Sequence, residues 1–144
     1  MKTRLALVPL LWLAVLHAPP AAAAPAADLM AKMTTYYFGL ITIGPKSGTG
    51  TAEEREKLQA AHMANIERLH AAGKLPVAGP FMDNGAWRGI FIYKCATLDE
   101  AKALAASDPL VQAGRLVVEI HPWLTMKGNI LDPEFPTPPP GRTP

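Results

Sequence analysis

At 144 residues, with 14 basic and 12 acidic side chains, the chain is sized for one domain and lacks the charge excess that would hold it on nucleic acid. A single cysteine, Cys95, excludes an internal disulfide framework. In an apolar run it reads as a small hydrophobe.

Residues 1–26 read as an export signal. Lys2 and Arg4 make a basic start, residues 5–16 are apolar, and an alanine tract follows from Ala21. The apolar run is shorter than the roughly 20 residues of a membrane span. A cleaved signal, a periplasmic or secreted mature chain and no stable membrane insertion are therefore expected. Ala22-Ala23-Ala24 and Ala24-Pro25-Ala26 both offer small residues for cleavage. Loss of Lys2 and Arg4 takes the basic count from 14 to 12, level with the 12 acidic residues.

Residues 25–33, rich in Ala and Pro, read as a flexible lead-in to a folded domain over 34–126. Residues 36–43 form an aromatic and β-branched run, the pattern of a strand. A Gly/Pro/Ser/Thr loop at 44–50 ends it, and Thr51 opens a helix with Glu53 and Glu54 facing the positive end of the dipole. Gly73 supplies its stop. Residues 75–78 make a short strand meeting Gly79-Pro80, where proline implies an edge. Asp83-Asn84-Gly85 is a turn, and residues 89–95 are the next strand. Thr97-Leu98-Asp99-Glu100 has the form of a capping box opening a helix to Ala106. Asp108-Pro109 breaks that helix. Residues 115–121 then alternate Leu116, Val118 and Ile120 against Arg115, Val117, Glu119 and His121, with His121-Pro122-Trp123 closing the strand. Residues 127–144 are a proline-rich, extended tail.

The order β-α-β-β-α-β is the ferredoxin-like α+β arrangement, a four-stranded antiparallel sheet with two helices on one face. The first and third strands are apolar on both sides: Tyr36, Phe38 and Leu40 oppose Tyr37, Ile41 and Ile43, and Ile90 and Ile92 oppose Phe91 and Tyr93. Two helices cover one face only, so pairing of two copies through the bare sheet, a homodimer or higher homo-oligomer, is expected.

The candidate chemistry lies on the first long helix. At ~100° per residue, His62 falls ~40° to one side of Leu58 and Asn65 ~20° to the other, so both sit in the apolar stripe. A buried imidazole requires a partner, and near neutral pH it can give or take a proton. Its plain reading is a core histidine satisfied by a carbonyl. Asp108 is either the carboxylate that orients that ring or a turn-forming Asp-Pro. Asn65 either holds a substrate carbonyl or satisfies a strand's backbone. Gly79 and Pro80 are either a pocket wall or a strand-ending turn. Arg115 is read either as an anion contact or as the partner of Glu119. His70 falls on the solvent side of the helix.

His62, His121 and Asp108 lack zinc-ligand spacing, the 44–50 loop lacks the ending of a phosphate loop, and no nucleophile elbow is present. Neither a metal nor a cofactor is expected.

The run His62-Met63-Ala64-Asn65-Ile66, with Leu69, Gly73-Lys74-Leu75, Ala78-Gly79-Pro80, Arg88-Gly89-Ile90-Phe91, Asp108-Pro109, Ala113-Gly114 and His121-Pro122-Trp123, resembles the YciI-like (YCII-related) family over residues 35–124. The resemblance implies a ferredoxin-like domain pairing into a dimeric α/β barrel, related to muconolactone isomerase, with a His–Asp pair at His62 and Asp108. It further implies cofactor-free acid–base chemistry on a small organic ligand, since one member is a dehydrochlorinase acting on a chlorinated hydroxyquinol. The export signal, the longer 44–50 loop and the proline tail set this chain apart from short cytosolic members. Two functions follow: a lyase- or isomerase-type enzyme, or a non-catalytic dimeric module that holds a ligand in the same pocket.

Overall fold

A computed structural model describes residues 23–83 and 85–130. The basic start and apolar run of the expected signal, Asn84 of the expected turn and the proline-rich end from residue 131 lie outside the described residues. The chain divides into two compact units, Met1–Ala31 and Lys32–Pro144. The described part of the first is a helix, α1 (Ala23–Ala31), where the composition had suggested a flexible lead-in. Alanine, Leu29 and Met30 favour helix, and Pro25 falls in the first turn, where its missing N–H forfeits no helical bond.

The second unit runs β1 (Met33–Ile43), α2 (Ala52–Ala71), β2 (Val77–Pro80), β3 (Trp87–Tyr93), α3 (Leu98–Ala106), α4 (Pro109–Gln112) and β4 (Leu116–Met126). Its strands form one antiparallel sheet in the order β2-β3-β1-β4, the ferredoxin-like α+β fold. Tyr37, Gly39 and Ile41 stand opposite Tyr93, Phe91 and Gly89, and this face carries the core with Leu69, Leu75 and Ala101. A Cβ at Gly39 would lie 3.0 Å from Val118 and 3.3 Å from the Tyr93 ring. The missing side chain leaves room for the edge-on Phe91–Tyr93 pair, with ring centroids 5.8 Å apart.

On the other face, Phe38 and Leu40 stand opposite Ile92 and Ile90, while Tyr36 stands opposite Trp123 with ring centroids 6.4 Å apart. Tyr36 and Ile92 are buried, Phe38, Leu40 and Ile90 are half-buried and Trp123 is exposed.

Three boundaries differ from expectation. β4 does not close at Trp123 but continues through Pro122 to Met126, because it is an edge strand and a proline there removes no inner ladder bond. β2 starts at Val77, and Leu75, expected in the strand, is instead a core plug at 1% exposure. β3 ends at Tyr93, leaving Cys95 half-buried beyond it. Burial, then the nearby Glu100 carboxylate, push the Cys95 thiol above its ordinary range.

Local chemistry fixes the helix ends. Thr51 accepts from the Glu54 amide and its own N–H donates to the Glu54 carboxylate, a complete capping box. At the far end Gly73 adopts φ +67°, and the Gly73 and Lys74 amides donate to the His70 and Leu69 carbonyls in a Schellman closure. At α3, Thr97 caps the Glu100 amide as expected, but the Glu100 carboxylate does not complete the box. It accepts from the Ala96 amide and from Lys74 Nζ.

Candidate active site

His62 lies near the middle of helix α2, and Asp108 stands at the α3–α4 junction. His62 Nδ1 is 2.7 Å from Asp108 Oδ2, with side-chain exposures of 11% and 2%. A carboxylate only accepts, so Nδ1 carries the proton and donates it. The other oxygen, Asp108 Oδ1, accepts from the Leu110 amide at 2.8 Å and caps α4, which opens with Pro109. The two readings of Asp108, turn-former and imidazole partner, are thus served by different oxygens of one carboxylate. Pro109 keeps Asp108 extended and fits the first helical position, which fixes the carboxylate's direction.

No buried side-chain nitrogen or oxygen among the described residues lacks a hydrogen-bond partner. His62 Nε2 has no protein partner among them, so it keeps part of the small exposure left to the ring. The ring borders a hollow of about 220 Å³ with Met63, Ile66, Pro80, Arg88 and Phe91. Ala78 and Gly79 complete the same wall. The Phe91 ring lies 6.3 Å from the imidazole, tilted by 39°. Beneath it, burial and then the Asp108 charge push the Tyr93 phenol well above its usual range, so it remains a neutral hydroxyl.

Gly79 and Pro80, read from sequence as a pocket wall or a turn, therefore line this hollow. The close approach falls at Gly89 rather than Gly79: a Cβ on Gly89 would sit 2.3 Å from the Gly79 carbonyl, so β3 presses directly on the backbone of β2.

Asn65 is not on this hollow, nor does it satisfy a strand. Its Oδ1 accepts from Arg68 at 2.7 Å and from Ser107 Oγ at 3.3 Å, and Ser107 Oγ also bonds the Leu104 carbonyl. One turn after His62 on α2, Asn65 faces the residue just before Asp108, which makes it a clamp on the junction rather than a substrate contact.

Arg115 pairs neither with Glu119 nor with the His62 hollow. It leaves the sheet before β4 begins, and its guanidinium donates to the Thr49 carbonyl at 2.6 Å. Glu119 pairs instead with His121, at 3.1 Å on the exposed face. His70, expected in solvent, is half-buried and donates from Nδ1 to the Leu75 carbonyl at 3.0 Å, which closes the turn after α2.

Gln59, Met63 and Ile66 were not read from sequence as lining residues, although the spacing of Gln59 and Ile66 around His62 carried the signal. Residues three before and four after an inward-facing helical position share its face. Arg88 and Phe91 reach the hollow only through the pairing of β3 with β1 and β2, which no local pattern announces. Among the described residues, no three His, Cys, Asp or Glu side chains converge as a metal set would, and no helix is long and apolar enough to cross a membrane.

The antiparallel sheet of order β2-β3-β1-β4 with its helices defines a ferredoxin-like α+β domain. The sequence profile of the YCII-related domain matches residues 11–124, so the chain belongs to the YCII-related domain family. It is 34% identical over 68 residues to an uncharacterized protein, YjpA, of Bacillus subtilis (strain 168), a match covering 47% of this chain and 78% of that one. Among solved structures it is similar to 5-chloro-2-hydroxyhydroquinone dehydrochlorinase (TftG) from Burkholderia phenoliruptrix AC1100, in complex with 2,5-dihydroxybenzoquinone. That similarity has a TM-score of 0.46 at 24% identity and covers 61% of this chain and 92% of the other.

Proposed function

We infer that His62 is the acid–base residue of a cofactor-free enzyme, of lyase or isomerase type, that acts on a small organic molecule. Asp108 orients it. The observation that carries this reading is the 2.7 Å bond from His62 Nδ1 to a buried carboxylate, beside a hollow that His62 itself borders. With Nδ1 held, Nε2 keeps its lone pair and can take a proton from carbon or oxygen. The Asp108 charge then stabilises the imidazolium until the proton is returned. Met63, Ile66, Phe91 and Pro80 give the substrate an apolar bed and shed water from the ring.

Hydrogen–deuterium exchange tests this without knowledge of the substrate. Small enolisable lactones and hydroxylated aromatics are incubated with the protein in D2O. The wild type speeds exchange of at least one of them by about 10²-fold or more over buffer, and His62→Ala and Asp108→Asn lose the effect. Exchange equal to buffer throughout the set, or exchange that survives His62→Ala, counts against the enzyme.

A second reading, a binding module without catalysis, is favoured by one observation: Asp108 Oδ1 caps α4, so the pair also ties α2 to the α3–α4 junction. In that case His62→Ala lowers stability while ligand affinity is the only function to change.

The second sheet face, on which Phe38, Leu40 and Ile90 are half-buried and Trp123 is exposed, is read as the surface that pairs with a second copy of the chain. The basic, apolar and alanine-rich order of residues 1–26 is read as an export signal. Mass spectrometry of the exported fraction then finds a chain starting within a few residues of Ala24; a chain retaining Met1 in the cytoplasm rejects it.

A further inference from the structure

A second hollow, of about 370 Å³, adjoins the His62 hollow, and Gln59, Arg88 and Leu116 border both. Three guanidinium side chains line it: Arg55 from the first turn of α2, Arg88 from β3 and Arg115 from the turn before β4. No Asp or Glu among the described residues lines it. Three like charges around one space favour an anionic occupant, and the Glu54 carboxylate, which shares a neighbouring hollow with Arg115, offsets only part of that charge and does so from outside.

The arginines are also aimed. The Arg55 guanidinium donates to the Gly50 carbonyl at 2.6 Å, and Arg115 donates to the Thr49 carbonyl at 2.6 Å. Each contact uses one of five N–H donors and leaves the rest of the fork available. The 44–50 loop that supplies those carbonyls is itself tied down, since the Gly44 and Lys46 amides donate to the Arg115 and Gly114 carbonyls. A Cβ at Gly44 would lie 2.4 Å from the Gly114 carbonyl, so only glycine permits that approach. Arg88 has no side-chain partner among the described residues and stands on the boundary shared by both hollows.

We propose that the substrate is an organic acid, whose anionic group rests between Arg55, Arg88 and Arg115 while its reacting carbon lies over His62. This inference rests on the acid–base reading of His62 for its second half. The apolar hollow suits a small ring or chain, and the arginine hollow suits a carboxylate, or an acid group of the same charge such as a sulfonate or phosphate. Anchoring a remote charge also positions the reacting atom, which is where such binding energy serves the rate.

The test uses two probes of equal shape, 3-phenylpropanoate and the neutral 3-phenylpropanamide, titrated into the full chain. Arginine side-chain N–H signals and the His62 ring signals are followed by NMR. The carboxylate binds at least about tenfold tighter than the amide. It moves the Arg88 and His62 signals together, and inorganic sulfate displaces it. Arg88→Gln reduces the charge preference to about threefold or less. Equal affinities for the two probes, a preference that survives the double variant Arg88→Gln/Arg115→Gln, or arginine signals that move with neither carboxylate nor sulfate would overturn the proposal. The wild-type comparison decides the matter even where a variant fails to fold. Deuterium exchange separates the two readings: charge preference without exchange rejects the acid–base role and keeps the anion site, and exchange without charge preference does the reverse.

Discussion

Asp108 gives one carboxylate oxygen to His62 and the other to the Leu110 amide, so the aspartate that starts α4 is also the one that fixes the imidazole. Position and chemistry are coupled through a single buried residue, at 1% exposure.

Asp108→Asn separates the two roles. The amide oxygen still accepts from Leu110, so the cap persists, and the loss in stability is about 1–2 kcal/mol. Its NH₂, however, now faces His62 Nδ1 as a donor and forces that nitrogen to accept. The proton moves to Nε2 and the base is lost. Turnover falls ~10²-fold or more while denaturant unfolding shifts only modestly. Asp108→Ala removes cap and partner together, and its larger cost of roughly 3–5 kcal/mol is visible in the same unfolding curves.

Asn65→Ala removes the acceptor shared by Arg68 and Ser107. Stability drops by about 1–2 kcal/mol. On the acid–base reading proposed above, Asn65 is a positioning residue that acts on rate through the junction: kcat falls less than in Asp108→Asn, and KM for any substrate found stays near the wild-type value. Asn65→Ser, which keeps a short acceptor, recovers part of the loss.

The fold itself carries a pH signature away from the site. The Lys74 hydrogen bond, followed by the Ala96 amide, holds the Glu100 carboxyl below its ordinary 4.5, and the same bond raises Lys74 above 10.5. A carboxylate whose pKa is lowered on folding adds stability above its unfolded pKa and loses it as pH falls through the lowered value. A raised lysine adds stability below its unfolded pKa and loses it as pH climbs through the raised one. Glu100→Gln is therefore less stable than wild type between about pH 5 and 10. The gap closes toward pH 3, which urea unfolding at pH 3 and pH 7 would measure. A gap that widens in acid would contradict the pairing.

The proposed pairing of two copies through the second sheet face would make Phe38 a central contact, since it stands between His121 and Ile92 on its neighbouring strands. Phe38→Asp puts a charge into that face without touching the helix-packed side. Light scattering at micromolar concentration then gives a dimer for the wild type and a monomer for the variant. A wild-type monomer would leave the face unexplained.

Much of this fold was legible because β1 and β3 alternate so regularly: Tyr37, Ile41, Phe91 and Tyr93 inward, Phe38, Leu40 and Ile90 outward. The capping residues Thr51 and Thr97 and the stop at Gly73 were equally local signals. Pro122 misled because a proline ends an inner strand but not an edge strand, and edge position is a property of the whole sheet. α1 was missed because Ala-Pro composition serves both leaders and first helical turns. At the site, the helical face alone made His62 and Asn65 candidates, yet their partners depend on where the α3–α4 junction packs. The arginine hollow was hidden for the same reason, as Arg55, Arg88 and Arg115 come from three segments brought together only by the sheet.

The most direct measurement is the tautomer of His62, read from long-range ¹H–¹⁵N correlations of histidine-labelled protein at about pH 8.5, where imidazoles in general are neutral. A spectrum assigned by loss of one ring in His62→Gln should show a protonated Nδ1 and a bare Nε2, exchanged for the opposite pattern in Asp108→Asn. A wild-type ring carrying its proton on Nε2, or one indifferent to the Asp108 change, would contradict the account.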